Sequence, residues 1–167
     1  PGYSDANATT GTTDATNLSA GETDTTWDAG YYAQAPQPAK ASIGDFVWND
    51  KDFDGVQDTG EVGVANAKVE LLNAGGNVLG TKQTGTDGKY VFDNLDPGQY
   101  KVRFSIPTGT AFEFSPQDRG GNDETDSDAD TKYVDTILTT LDAGEHDMTW
   151  DAGMSEAIEP TNTASRG

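Results

Sequence analysis

The chain has 167 residues, of which 29 are acidic and 10 are basic, so its formal net charge is −19. Such an acidic chain repels nucleic-acid phosphates and anionic lipid headgroups, which excludes direct binding to either. It contains no cysteine, which excludes disulfides, thiol catalysis and thiolate metal sites, and its single histidine argues against a histidine-based zinc site or catalytic triad. Three Trp, six Tyr and six Phe are enough to centre a modest core, so we do not expect a disordered chain.

The first feature in chain order is a segment that recurs near the other end. Thr16–Gly30 (TNLSAGETDTTWDAG) matches Thr139–Gly153 (TTLDAGEHDMTWDAG) at eleven of fifteen positions, with a constant offset of 123 residues. A period this long corresponds to a whole domain rather than to the short unit of a solenoid. We therefore expect the C-terminal strands of a preceding repeat in residues 1–32, a Pro/Ala linker in 33–41, a complete repeat in 42–155, and a linker with the start of the next repeat in 156–167.

The strands expected in residues 1–32 would lack the rest of their sheet. Unpaired strands that carry core-type residues such as Leu18 and Trp27 are unstable alone. We expect them to pair head-to-tail with a neighbouring repeat or chain, by strand complementation into a fibre, rather than with residues 42–155 of their own chain.

Within the complete repeat, the pattern is that of an all-β domain. Apolar residues alternate in runs that begin at Ile43 and end near Phe114, and no run shows a helical stripe. The Gly-rich residues 74–77 and the pair Asp87-Gly88 predict hairpin turns. About seven short strands with frequent turns predict a β-sandwich. The expected core residues are Phe46, Trp48, Val69, Leu71, Tyr90, Phe92, Tyr100, Val102, Phe104 and Ile137.

An acidic loop follows the first strand of this repeat. Because its flank predicts a strand, we expect the chemistry of an EF-hand loop without the helix pair. A solvated acidic turn is the alternative, but five acids opposed only by Lys51 would repel one another unless neutralised. The EF-hand pattern assigns calcium ligands to Asp50, Asp52, Asp54, the carbonyl oxygen of Val56, Asp58 and Glu61.

A second acidic cluster runs from Asp118 to Asp130. Its alternating carboxylates are close enough to converge on one ion, although no Gly-then-Glu closure follows them, and a flexible acidic loop is the alternative. The candidate metal ligands here are Asp123, Asp126, Asp128 and Asp130.

Other residues invite functional readings that we consider weaker. His146 is replaced by Thr23 in the other copy, so a surface strand position is expected rather than a catalytic one. Asp28 and Asp151 could take part in a Lys–Asp amide crosslink, but the first strand carries no lysine and Lys68 is the nearest candidate.

Several motifs together resemble the B-type repeats of the serine-aspartate repeat (Sdr) surface adhesins, within the Cna B-type, Ig-like or transthyretin-like group of sandwiches. They are GDFVW at 44–48, the loop Asp50–Glu61, TDGKYVF at 86–92, LDPGQY at 95–100 and DAG at 151–153. The resemblance implies an extracellular module, on the cell surface or secreted, that binds Ca²⁺ through acidic loops and serves as a rigid stalk unit. It implies ligand roles for Asp50, Asp52, Asp54, Asp58 and Glu61.

The leading hypothesis is therefore a calcium-stiffened structural module of a tandem-repeat adhesin, matrix protein or fibre. The alternative is a carbohydrate- or protein-binding sandwich, for which Trp27, Trp48 and Trp150 would form a stacking face. An enzyme is not expected, because no nucleophile–base pair is suggested. A dockerin-like module would need two such loops with helices, which the pattern does not provide.

Overall fold

The computed structural model describes residues 4–31, 35–130 and 135–156. The chain divides into two compact units, an N-terminal unit (Pro1–Gln37) and a C-terminal unit (Pro38–Gly167). The N-terminal unit contains turns at residues 8–10 and 20–21 and no named strand in its described part. The segment expected to begin a further repeat follows Glu156 and lies outside the described residues.

The described part of the C-terminal unit contains nine strands, and the described residues of the chain include no helix, hence none that could cross a bilayer. Its strands in chain order are β1 (Ala41–Asn49), β2 (Lys68–Asn73), β3 (Val78–Gln83), β4 (Lys89–Leu95), β5 (Gly98–Ser105), β6 (Phe112–Phe114), β7 (Thr139–Leu141), β8 (His146–Asp147) and β9 (Ala152–Glu156).

These strands form two sheets. The first has the order β4-β1-β9-β6, with β8 pairing in parallel to β1, and the second has the order β3-β2-β5-β7. The expected sandwich class is therefore confirmed, with nine strands in place of about seven. The additional elements include β7 and β8, which are only three and two residues long and carry little periodic signal.

The core lies where the inward residues of the two sheets meet. Tyr90 of the first sheet packs edge-to-face on Phe104 of the second, with ring centroids 5.7 Å apart. Of the expected core residues, Phe46 is only half-buried, and its ring stacks on that of the fully buried Trp48. The expectation for Ile137 is wrong: its side chain is 69% exposed, because it lies before β7 starts and its neighbour Thr136 takes the buried position.

The turn at Asp87-Gly88 is present, but the expectation of a hairpin is wrong. The strand before it, β3, is at the edge of the second sheet, and the strand after it, β4, is at the edge of the first. The turn thus carries the chain from one sheet to the other. The Gly-rich turn at residues 74–77, by contrast, does join the antiparallel pair β2 and β3.

A buried threonine fixes the connection that leads into this turn. The Thr84 hydroxyl donates a hydrogen bond to the carbonyl oxygen of Val64 at 2.6 Å and accepts one from the N–H of Ala67 at 2.9 Å. Thr84→Val keeps the shape of the side chain but leaves both buried backbone groups without this partner. We expect it to lower the free energy of unfolding by about 1–3 kcal/mol, measured by urea denaturation. Thr81→Val, at an exposed position of β3, is the matched control and should change it by less than about 0.5 kcal/mol.

Candidate metal centre

The first acidic loop leaves β1 at a fully buried carboxylate. Asp50 N–H donates to the carbonyl oxygen of Met154 in β9 at 3.0 Å, so the start of the loop is tied to the sheet. The two carboxylate oxygens of Asp50 accept hydrogen bonds from the N–H groups of Phe53 (2.7 Å) and Gly55 (2.9 Å). The loop backbone therefore wraps around this side chain.

The other end of the loop is closed by Glu61. One of its carboxylate oxygens accepts from Lys51 N–H at 2.7 Å and the other from Asp58 N–H at 2.9 Å. The Lys51 ammonium also donates to the carbonyl oxygen of Gly60 at 2.7 Å. The two ends of the twelve-residue loop thus lie against each other, as an ion-binding loop requires.

The loop brings three of its predicted ligands together. Asp50, Asp52 and Asp54 each place a carboxylate oxygen within 4.8 Å of the others, and we call this set the first triad. Loss of hydration and the neighbouring Asp54 raise the pKa of Asp52 above its usual value. Asp58 and Glu61 lie outside the triad, and Val56 forms an antiparallel bridge with Asp126 of the second cluster.

The second cluster forms a triad of its own from Asp118, Asp126 and Asp128, again with oxygens within 4.8 Å of one another. The sequence pattern includes Asp118 in the cluster but not among the predicted ligands, and seven residues lie between it and Asp126. The fold closes this gap through a hydrogen bond from Asp118 N–H to the carbonyl oxygen of Ser127 at 2.9 Å. Of the remaining predicted ligands, Asp123 lines an adjoining cavity of about 200 Å³, and Asp130 lies outside the triad.

The second triad is the more deeply buried, since two of its three carboxyl groups are buried and only one of the first triad's is. Asp126 Oδ1 is buried and has no hydrogen-bond partner among the described residues. Burial, together with Asp123 and Asp118, raises the pKa of Asp126. Burial raises the pKa of Asp128 to about 8. A carboxylate oxygen that is buried, unpartnered and beside two other carboxylates is suited to a cation.

A further carboxylate, outside the predicted ligand set, lies behind this triad. Burial, and next Asp45, raise the pKa of Asp151 to about 9. Asp151 N–H donates to Asp128 Oδ2 at 2.7 Å, and Asp151 Oδ1 accepts from Phe46 N–H at 3.0 Å. The hypothetical crosslink finds no support, because the Lys68 ammonium lies 3.1 Å from Glu70 Oε1 on β2.

The two acidic loops are joined to each other by backbone contacts. Gln57 N–H donates to the carbonyl oxygen of Thr125 at 2.7 Å, and Ser127 N–H donates to that of Gly55 at 3.1 Å. Gly55 has a φ of +82°, and a Cβ atom there would lie 2.2 Å from the carbonyl oxygen of Pro116. Only glycine permits this approach, so the two triads belong to one connected structure.

The structure also shows where the tryptophan and histidine candidates from the sequence lie. Trp48 and Trp150 are buried, at 0% and 7% exposure, so they cannot form a stacking face for a ligand. His146 is exposed on β8, and its Nδ1 lies 2.7 Å from the hydroxyl of the buried Ser42. This contact joins β8 to β1, as expected for a strand residue.

A pair of glycine variants tests whether contact between the loops matters. Gly55→Ala should lower the melting temperature strongly and weaken ion binding in both triads, because the new methyl group would force the loops apart. Gly60→Ala is the matched control: it has a φ of +97° in the same loop but nothing within 4 Å of its Cβ position, so it carries only the backbone strain of about 1–3 kcal/mol. Equal losses in the two variants, by thermal denaturation and calorimetric titration, would contradict the coupling.

Comparison with known proteins identifies the family of this chain. The family model of the SdrD B-like domain matches residues 41–154. Serine-aspartate repeat-containing protein D of Staphylococcus aureus (strain Newman) is 44% identical over 131 residues, which are 78% of this chain and 9% of that protein. Serine-aspartate repeat-containing protein C of the same strain is 41% identical over 164 residues, covering 93% of this chain and 16% of that protein. The chain thus spans a small part of these relatives.

Among solved structures, GBS52, the minor pilin of Streptococcus agalactiae, matches with a TM-score of 0.50 and 8% sequence identity, over 77% of this chain and 50% of that one. At this identity the likeness supports the two-sheet fold alone. The family model, however, covers more than half of the chain, and the identities to the staphylococcal proteins are well above chance. This chain therefore belongs to the SdrD B-like domain family.

Proposed function

We propose that the chain is a structural stalk module of an extracellular tandem-repeat adhesin, matrix protein or fibre, on the cell surface or secreted, and that Ca²⁺ bound in the two acidic loops makes it rigid. The observation that carries this proposal is the second triad, where a buried carboxylate oxygen of Asp126 has no partner among the described residues. Family membership supports the structural role.

The donor set fits calcium better than other common metals. Both triads offer only carboxylate oxygens, and the described residues place no histidine in them; the chain has no cysteine. Hard cations prefer oxygen ligands, and Ca²⁺ accepts six to eight of them in a flexible geometry, whereas Mg²⁺ demands a regular octahedron. Val56, Asp58 and Glu61 of the first loop, and Asp123 and Asp130 of the second, are the candidates for completing the two coordination shells.

Stiffening follows from where the loops are attached. Asp50 is hydrogen-bonded to Met154 in β9, and Asp128 is hydrogen-bonded to Asp151, the residue before β9. Cations bound in the two triads would remove the repulsion between the carboxylates and hold β1, β9 and the second loop together. Neighbouring repeats arranged head-to-tail would then form a stalk of stiff units.

An aromatic ligand-binding face receives less support, because two of its three tryptophans are buried. An enzymatic role receives none from the geometry, since the Ser42–His146 contact has a buried serine that serves strand pairing. The partners we propose for the module are therefore neighbouring repeats, with a host or matrix ligand bound elsewhere.

Calcium removal should destabilise the C-terminal unit. For an extracellular site with a dissociation constant of about 10⁻⁴ M, 10 mM Ca²⁺ is roughly a hundredfold excess. Binding to the folded state alone then contributes about 2.7 kcal/mol for each occupied site, which corresponds to roughly 10–15 °C in melting temperature per site. Thermal denaturation followed by circular dichroism, with Ca²⁺ and with a chelator, measures this shift.

Variants in each loop test which triad causes the calcium-dependent shift in melting temperature. Asp52→Ala with Glu61→Ala should remove most of the response of the first loop, and Asp126→Asn that of the second. Asp93→Asn, at an exposed position of β4, is the control and should retain the full shift. A melting temperature that does not change with chelator in the unmodified protein would overturn the calcium mechanism and leave an acidic spacer.

Proteolysis can locate the calcium-dependent region. Lys51 is inside the first acidic loop, while the exposed Lys82 is on β3 in the other sheet. A lysine-specific protease that needs no calcium should cut after Lys51 at least tenfold faster with chelator, because the loop opens when its charges are not neutralised. Cleavage after Lys82 should change much less. Equal acceleration at both sites, observed by mass spectrometry, would indicate global unfolding instead.

A further inference from the structure

The two copies of the recurring segment share their hydrogen bonds as well as their sequence. In the N-terminal unit, Asp5 N–H donates to the carbonyl oxygen of Asp28 at 3.0 Å, and Asp28 N–H donates to Asp5 Oδ2 at 3.1 Å. The equivalent bonds between Asp128 and Asp151 measure 3.0 and 2.7 Å. Further matched bonds join Trp27 Nε1 to Asp24 (2.9 Å), Trp150 Nε1 to Asp147 (2.7 Å), Gly30 N–H to Ser4 Oγ (3.1 Å) and Gly153 N–H to Ser127 Oγ (3.1 Å).

The copies differ in burial. Leu141 is 1% exposed and its counterpart Leu18 is 58% exposed. Trp150 is 7% exposed and Trp27 is 38% exposed. The N-terminal unit therefore presents, in a preformed local arrangement, the apolar side chains that a sandwich core encloses in the other copy. We call residues 127–153 the closing segment and residues 4–30 its N-terminal copy.

The closing segment meets specific demands of the sandwich. The carbonyl oxygen of Trp150 accepts a hydrogen bond from the hydroxyl of Tyr90 at 2.6 Å, and the Asp151 carboxylate accepts from Phe46 N–H at 3.0 Å. Ala152 and Gly153 pair in parallel with β1. A Cβ atom at Gly153 would lie 2.9 Å from the Cβ of Ser115 and 3.0 Å from the Trp48 ring, so this position requires glycine.

The N-terminal copy keeps the residues that meet these demands. Trp27, Asp28, Ala29 and Gly30 stand at the positions of Trp150 to Gly153. The next residue departs from the match, since Tyr31 stands at the position of the fully buried Met154. The copy is therefore suited to the same place in a sandwich up to the glycine, and the match ends beyond it.

We propose that residues 4–30 are a second closing segment, which docks on the β1–β6 part of a second copy of this repeat in the register that the described residues 127–130 and 135–153 use here. The inference rests on the tandem arrangement of the proposed function, but not on calcium. In the unmodified chain each sandwich is already closed by its own residues 127–153, so the docking site becomes available only when that segment is displaced.

A segment exchange tests whether the N-terminal copy can close a sandwich. Residues 127–153 of the full chain are replaced by the sequence of residues 4–30, and a control carries the same inserted residues in shuffled order. We expect a cooperative thermal transition and a β-type circular dichroism spectrum for the first chimera but not for the control. If both chimeras are equally unfolded, residues 4–30 are not a closing segment and the proposal fails.

A second experiment tests docking between copies. Ala152→Asp with Met154→Asp, at two fully buried positions, disables the closing segment of the full chain. We expect folded oligomers of at least dimer mass by light scattering, and their loss when Trp27→Asp is added. Unfolded monomers, or oligomers that persist with Trp27→Asp, would overturn the proposal. Folded monomers would overturn the choice of a second copy, since the segment would then close its own sandwich.

Both experiments are run with Ca²⁺ and with chelator. The chimera retains Asp118 and Asp126 and receives Asp5 at the position of Asp128, so the carboxylates of the second triad are kept. A chimera that folds without responding to Ca²⁺ would count against the calcium mechanism alone. An unfolded chimera, alongside a normal calcium response of the unmodified chain, would count against the closing segment alone.

Discussion

The rest of the C-terminal unit depends on a pair of reciprocal hydrogen bonds between Asp128 and Asp151. Asp128 N–H donates to the carbonyl oxygen of Asp151 at 3.0 Å, and Asp151 N–H donates to Asp128 Oδ2 at 2.7 Å. The bond positions the start of β9, which pairs with both β1 and β6 and so joins two strands that do not otherwise neighbour each other. It also holds the second acidic loop against the sheet. Strand order and loop placement thus share one point of attachment.

The same contact brings carboxyl groups together at a buried position, where water solvates them poorly. Burial raises the pKa of Asp128 to about 8 and that of Asp151 to about 9, because an ionised carboxylate loses hydration there. Asp126 adds a third buried carboxyl group, with one oxygen unpartnered among the described residues. Such a group must hold protons or a cation to be stable when buried. An acidic loop docked in this way is therefore suited to a cation.

Local sequence patterns predicted much of this structure, and non-local contacts explain what they missed. The EF-hand spacing grouped Asp50, Asp52 and Asp54, whose carboxylates do lie together, because side chains two residues apart in a tight loop converge through local geometry alone. Asp118 entered the second triad through a backbone contact with Ser127, which no spacing rule describes. Turn chemistry likewise identified the bend at Asp87-Gly88, but the choice between a hairpin and a crossing depends on which strands pair.

The two copies of the recurring segment show which features local sequence determines and which depend on non-local contacts. Eleven of fifteen positions are identical in its closely matched part, and both units have the same short-range hydrogen bonds, although the described part of the N-terminal unit has no named strand. Local sequence is thus sufficient for the bond between the tryptophan and the aspartate three residues before it. Burial is not encoded in this way: Leu141 is enclosed because β5 pairs with β7, and Leu18 is exposed. The N-terminal copy has these local hydrogen bonds although no core encloses its Leu18. Such a segment loses little conformational freedom when a core is supplied, which makes it well suited to complete another sandwich.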